Sequence, residues 1–484
     1  MKISEYAKYD GLGLVELVKA RQVSPRELAE TSLAAIDKLN GEINAVIGKT
    51  PEEMERTLGQ GPSSGSFEGV PFLIKDIGAH YANVPMECAS RLFSGYASPH
   101  DSELAARFKK SGLVLVGRSN APEFGASIST EPVKNGPTRN PWNLKHIAGG
   151  SSGGAAAAVA SGMVPVAHAN DGGGSIRVPA SCCGVFGLKP TRGRQTWGPD
   201  NDEFMFGFGC ELIVSRSVRD SAAMLDATAG PDVGERHMLP KPSLSFLEAS
   251  KRDPKKLRIA FSTSSPPGAP ALHEDCKRAI LKTAKLCEDL GHEVFEAAPD
   301  ITQEESCAVW RDAAAPFLAA VVREFCQATG RKVAKDNFEA TSRALYEYGL
   351  QMRAVDLVDV LNLINAVSRK LGKFFQSYDL WLTSVMTSPP PRLGVLNANE
   401  EGLSADGWIK KIMDVAAFCP IFNISGQPAM SVPLHWTEDG LPVGVQFAAR
   451  FAEEETLFAL AGQLERAQPW INRVPPLSAL STDK

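Results

Sequence analysis

The sequence predicts an α/β fold, a mixed central β-sheet flanked by helices, and three observations carry the prediction. Apolar runs of strand length, Val70 to Ile74 and Leu113 to Gly117, alternate with segments of helical character such as Ser102 to Lys110. A block rich in Gly, Ala and Ser, from Gly149 to Pro190, holds a small-residue helix, Gly154 to Ala160, whose short side chains let a helix approach a sheet closely. At 484 residues and 43% hydrophobic content, the chain can bury a large core.

The elements follow in order. Ser24-Pro25-Arg26-Glu27 and Thr50-Pro51-Glu52-Glu53 each place a hydroxyl cap, a proline at the first helical position and a carboxylate near it, so residues 1–65 read as a helical wrap around the core. After the Gly-rich block, with its strand Val164 to His168, Pro231 to Pro254 reads as a surface connection. Leu257 to Phe261, a helix from Ala271 to Leu290, and Glu293 to Phe295 then form a strand-helix-strand unit. Residues 303–377 read as largely helical, Leu380 to Val385 as a strand, and Pro389-Pro390-Pro391 as a break. Strands Ala429 to Leu434 and Pro442 to Phe447 and a helix from Glu453 to Ala467 close the chain. One compact unit, 1–484, is expected, within which about 231–420 forms an α/β and helical lobe.

Charge excludes several classes of function. A net charge of −5, from 51 basic and 56 acidic residues without a basic block, gives no footprint for nucleic acid or an anionic membrane. The start, Met1 to Tyr6, has no apolar signal core, and no apolar run reaches the roughly 18 residues of a membrane span, so a cytoplasmic protein is expected. Nine cysteines without a Cys-x-x-Cys pair indicate neither a disulfide framework nor a zinc site; reduced, buried thiols are expected. A small-molecule substrate fits this surface, and self-association into a homo-oligomer is left open.

The chemistry concentrates in two glycine-flanked serines 24 positions apart, Ser151 in Gly149-Gly150-Ser151-Ser152-Gly153-Gly154 and Ser175 in Asp171-Gly172-Gly173-Gly174-Ser175. Attack on an amide carbonyl needs a nucleophile, a base that returns its proton to the leaving nitrogen, and donors where the oxyanion forms. Ser175 is assigned as nucleophile, and the backbone amides of Gly172, Gly173, Gly174 and Ser175 as the oxyanion hole, because successive glycine amides can turn inward without side chains filling the substrate's place. Lys75 ends the apolar run. A lysine of ordinary pKa, about 10.4, is a poor base at neutral pH, so burial must favour its neutral amine. Asp76 opposes this only if near, and neighbours on a strand point to opposite faces. Ser151 is the natural relay between the two, since a hydroxyl accepts from one partner while donating to another. Arg177 reads as a brace for the loop.

These segments, followed by Ile176-Arg177-Val178-Pro179-Ala180-Ser181 and Cys183-Gly184-Val185-Phe186-Gly187-Leu188-Lys189-Pro190-Thr191, resemble the amidase signature family. The resemblance implies that family's α/β fold, a Lys75, Ser151, Ser175 triad working through an acyl-enzyme without cofactor or metal, and a cis bond between Gly150 and Ser151. Pro165 to Asp171 and Pro420 to Pro428 are most similar to the branch that includes 6-aminohexanoate cyclic dimer hydrolases. Two positions depart from the family pattern: Asn170 stands where Thr is usual, and Gly172 where a side chain is common. The implied activity is hydrolysis of a carboxylic amide, linear or cyclic, with carbamates and esters open to the same chemistry. The competing readings are an amidotransferase subunit that releases ammonia from glutamine for a partner, and a non-catalytic binding module.

Other patterns compete locally. Gly149 to Gly153 also fits a Gly-x-Ser-x-Gly nucleophile elbow, with Ser151 as nucleophile and His435 as base, but no clear strand enters Gly149 and the second glycine run is left unexplained. Gly48-Lys49-Thr50 lacks the upstream glycine of a phosphate-binding loop, since Ile43 holds that place. Trp197, Phe204 and Phe206 belong to an aromatic stretch that reads either as core filling or as the wall or lid of an apolar acyl pocket, with Gly207 and Gly209 allowing movement.

Overall fold

The computed structural model describes residues 1–61 and 64–481; positions 62 and 63, within the expected N-terminal wrap, lie outside the described residues. Among the described residues thirteen strands are formed: β1 Val46–Lys49, β2 Pro71–Lys75, β3 Val114–Ser119, β4 Arg139–Asn140, β5 Asn143–Ile147, β6 Val166–Asp171, β7 Phe186–Lys189, β8 Cys210–Ser215, β9 Arg258–Phe261, β10 Glu293–Glu296, β11 Leu380–Ser384, β12 Ala429–Trp436 and β13 Pro442–Ala449. Eleven of them make one sheet in the order β1-β3-β2-β6-β8-β7-β12-β13-β11-β9-β10, and β4 pairs only with β5. The sheet is mixed. β2 runs parallel to both β3 and β6, and β9 parallel to β10 and β11, while the middle of the sheet is antiparallel. Among the described residues, no helix is long and apolar enough to cross a membrane.

The local signals act as chemistry dictates in most places. Ser24 caps the helix Pro25–Ile43, accepting from the Glu27 amide at 3.2 Å, and Ser102 accepts from the Ala105 amide at 3.2 Å to start Glu103–Lys110. Thr50 differs. Its hydroxyl donates to the Leu115 carbonyl at 3.1 Å and leaves the helix Pro51–Gly59 without a side-chain cap. That bond ties the helix start to β3, whose edge β1 covers in antiparallel register.

Three strands of the eleven-stranded sheet differ from the sequence expectation. β1 has four residues, one of them glycine, too few to show a period, and exists because β3 offers it an edge. β7 lies in the Gly, Ala and Ser-rich block and β8 just after the aromatic stretch, neither expected as a strand, yet they join β6 to β12 at the centre of the sheet and are buried throughout. The strand-helix-strand unit from residue 258 to 296 forms as expected and extends this same sheet beside β11.

The all-buried helix Gly153–Ala160 lies tight against its surroundings. A Cβ on Gly154 would stand 2.4 Å from the Asn120 backbone nitrogen and 2.6 Å from the Ala45 carbonyl oxygen, so only glycine permits the approach. This packing places the helix N-terminus, with Ser151 and Ser152 before it, near the carboxyl ends of β2 and β6. The nine cysteines are all free, seven of them buried.

Candidate active site

Lys75 is the last residue of β2, and Asn170 and Asp171 end the parallel neighbour β6, so the candidate residues gather at the carboxyl edge of adjacent parallel strands. Lys75 is 1% exposed. Its amine donates to Ser151 Oγ at 2.7 Å, Ser152 Oγ at 2.9 Å and Asn170 Oδ1 at 2.6 Å. Burial pushes its pKa down from 10.5 to about 7, against the opposing pull of Asp171 and Glu211. Asp76, its neighbour in sequence, spends its carboxylate elsewhere, on Arg118 at 2.7 Å and on the amides of Glu87 and Ala89.

Ser151 follows a cis peptide bond from Gly150. Ser175 stands just before the helix Arg177–Cys183, and its carbonyl accepts from the Ser152 amide at 3.3 Å, which joins the two serine segments. Both Ser151 and Ser175 line one cavity of about 490 Å³, together with Asn170, Gly172 and Gly173.

The loop between β6 and Ser175 is built around Asp171. Burial alone would raise this carboxyl; Arg177, Asn423 and Lys189 outweigh burial and hold it below the usual carboxylate range. Asp171 accepts from Arg177 Nε and Nη2, both at 2.9 Å, and from the amides of Gly174 at 2.7 Å and Ile176 at 3.1 Å. Arg177, itself fully buried, continues to the Cys419 carbonyl at 2.9 Å, Gln446 at 2.8 Å and Asn423 at 2.7 Å. It therefore links the loop to β13 and to the helix Cys419–Ser425.

One amide of the expected oxyanion hole already has a partner in this arrangement. The Gly174 amide is committed to Asp171 Oδ1, which leaves the amides of Gly172, Gly173 and Ser175 as the candidate donors. The reason for glycine also differs from the one expected. A Cβ on Gly173 would lie 2.7 Å from Trp310 Nε1, and one on Gly174, whose φ is +129°, would lie 2.8 Å from Cys419 Cβ. Only at Gly172 is there room, with Met205 Sδ at 3.6 Å. Packing against Trp310 and Cys419 thus demands two of the three glycines.

The aromatic stretch forms wall rather than a loose flap. Trp197 and Phe204 stack at 4.6 Å and line the cavity, and Phe204 meets Phe317 edge-on at 4.4 Å. Phe206 is not part of this wall; Met205 is. Gly209, expected as a hinge, lies beneath the stacked pair, where a Cβ would be 2.7 Å from Phe204 and 2.8 Å from Trp197. The adjoining wall is one face of the helix Gln303–Thr329, carrying Trp310, Ala314, Phe317, Leu318, Val321 and Phe325. The sequence predicts this helix but not its role; the helical spacing of those residues is the available signal, and it reads equally well as core. Trp310 Nε1 also donates to the Gly172 carbonyl at 2.9 Å. Ser152 and Asn170 were likewise missed as partners of the lysine.

His435 does not join the site. It lies on β12, with Nε2 3.9 Å from Asp275. A strand, β5, does run toward Gly149, contrary to expectation, but it belongs to the separate two-stranded hairpin rather than to the central sheet from which a nucleophile elbow must rise.

A large mixed sheet with a buried lysine and two glycine-flanked serines at its carboxyl edge defines a class of carbon–nitrogen hydrolase. A family profile described as Amidase matches residues 27–458, and the chain belongs to that family, an amidase. It is similar to 6-aminohexanoate-cyclic-dimer hydrolase of Paenarthrobacter ureafaciens, with 36% identity over 481 residues that cover 97% of this chain and 96% of that protein. The solved structure of 6-aminohexanoate cyclic dimer hydrolase superimposes with a TM-score of 0.91 at 34% identity, covering 97% of this chain and 99% of that one. A bacterial aryl acylamidase of the amidase signature family follows with a TM-score of 0.85 at 26% identity, covering 96% of each chain.

Proposed function

We propose that this amidase cleaves uncharged carboxylic amides through an acyl-enzyme on Ser175, with Ser151 as proton relay and Lys75 as base and then acid. The observation that carries the reading is the buried Lys75 amine, brought to about 7 and bonded to Ser151, beside the cavity that Ser175 also lines. Ser175 Oγ attacks the carbonyl carbon. Its proton passes to Ser151 Oγ as the proton of Ser151 passes to Lys75, and the oxyanion rests against the amides of Gly172, Gly173 and Ser175. Collapse of the tetrahedral intermediate breaks the carbon–nitrogen bond, and the proton returns by the same route to the leaving amine. Water then repeats the sequence and releases the acid.

The cavity wall indicates the substrate class. Among the described residues lining it there is no arginine and no lysine, and aromatic and aliphatic side chains dominate. Such a wall favours a neutral, apolar acyl group, and a cyclic diamide of the kind hydrolysed by the similar dimer hydrolases meets that description. Glutamine, as an amidotransferase subunit would require, brings a carboxylate for which the described lining supplies no arginine or lysine. The whole chain works as one catalytic unit in this reading, since residues from 303 to 329 complete the pocket that the N-terminal half begins.

The test is a panel of aryl amides, linear amide oligomers, cyclic amides and carbamates, run beside labelling with a serine-directed phosphonate. Hydrolysis of neutral amides without a partner protein, and label on Ser175, are expected. Ser175→Ala should lose both while keeping its circular dichroism; a folded Ser175→Ala enzyme with normal rates would remove the assignment, and turnover of glutamine alone would favour the amidotransferase reading.

A further inference from the structure

The rim of the cavity holds a second group of donors that the hydrolysis does not use. His80, His100 and Asp200 all line the cavity, and one ligand atom from each lies within 4.8 Å of the others. They come from three separate segments: the loop after β2, the approach to the helix Glu103–Lys110, and the turn after Trp197.

His80 is the informative member. It is 9% exposed, and its Nδ1 lies 3.2 Å from the Gly78 carbonyl oxygen. A carbonyl only accepts, so Nδ1 carries a hydrogen, and Nε2 is turned toward the other two residues. That Nε2 stands 3.3 Å from Asp200 Oδ2 yet lacks hydrogen-bond geometry to any partner. His100 Nε2 lies 2.9 Å from the other oxygen, Asp200 Oδ1. An imidazole lone pair facing a carboxylate oxygen is repulsive unless a cation lies between them.

A proton on Nε2 is one such cation, but the misaligned contact gives it no hydrogen bond. A metal ion is held by lone pairs from all three residues at about 2.0–2.2 Å and needs no donor alignment. Anchoring Nδ1 on a backbone carbonyl is also how metal-binding imidazoles are oriented. His100 and Asp200 are open to solvent at 47% and 40% of their side-chain surface, so water can complete the coordination. Two imidazoles and a carboxylate suit borderline ions such as Zn²⁺ and Co²⁺ better than the oxygen-seeking Mg²⁺ or Ca²⁺.

We propose that His80, His100 and Asp200 form a binding site for a divalent transition-metal ion at the mouth of the substrate cavity. The ion takes no part in the triad chemistry. It occupies the entrance, where it narrows the passage and slows turnover of bulky substrates.

The experiment uses the full chain, stripped with a chelator and dialysed, then titrated with Zn²⁺ by calorimetry and with Co²⁺ by visible absorption. About one ion per chain should bind, with affinity at least about tenfold weaker in Asp200→Asn and in His100→Ala. Both side chains are substantially exposed, so these variants should fold. His237→Ala, which removes a histidine paired with Glu203 at 3.0 Å and not part of this rim, should bind as the wild type does. Wild-type affinity no greater than that of Asp200→Asn and His100→Ala, or a His80→Ala variant with an unchanged Co²⁺ spectrum, would overturn the proposal.

Discussion

Turnover should report the protonation of one amine. An ordinary lysine with a pKa of 10.5 is neutral to about one part in three thousand at pH 7, whereas one at about 7 is roughly half neutral. Burial of Lys75 therefore enlarges the usable base by about three orders of magnitude, which corresponds to about 4 kcal/mol at ~1.36 kcal/mol per tenfold. The base must be neutral, so kcat/KM for a neutral amide should fall about tenfold per pH unit below 7 and level off above it. The assay is initial rates of a neutral aryl amide from pH 5 to 9, with circular dichroism at each pH to establish that the fold persists. A profile flat across that range, or one still rising steeply toward pH 9, would refute the reasoning. The same depressed pKa has a consequence for stability. Between about pH 7 and 10.5 the unfolded chain binds the proton and the folded chain does not, so this lysine's contribution is fully favourable above 10.5 and is lost as pH falls through about 7.

Removing the Arg177 guanidinium with Arg177→Met leaves the Asp171 carboxylate buried without its main partner, and should lower the denaturation free energy by about 3–5 kcal/mol in a urea titration. Gly173→Ala forces a methyl to within 2.7 Å of Trp310 Nε1, so the Trp310–Gly172 bond should break, tryptophan fluorescence should shift, and kcat should fall more than KM rises. Phe204→Ala removes the middle ring of the Trp197, Phe204, Phe317 stack; KM for aryl substrates should rise, by ~1 kcal/mol or more in binding, while Phe206→Ala, outside the wall, should leave KM nearly unchanged.

Short-range chemistry was legible in the residues themselves. Serine and proline at helix starts, apolar runs of strand length, and glycines around two serines and a buried-strand lysine led to the sheet, most of its strands and the three residues Lys75, Ser151 and Ser175, because each depends on neighbours a few positions away. Thr50 shows the limit of such signals. Its capping pattern is intact in sequence, yet its hydroxyl is taken by a carbonyl of β3, 65 residues later.

What the fold alone decided is everything that requires distant segments to meet. Asn170 and Ser152 become partners of Lys75 only when β2, β6 and the helix after Ser152 are packed at one edge. The reasons for Gly173 and Gly174 lie in Trp310 and Cys419, far along the chain, and the same folding turns a helix face into a pocket wall and sets His80, His100 and Asp200 together. Composition and spacing encode what a residue prefers locally; which partner it meets is set by the packing of the whole core, and hydrogen bonds, clashes and pKa shifts arise only at that meeting.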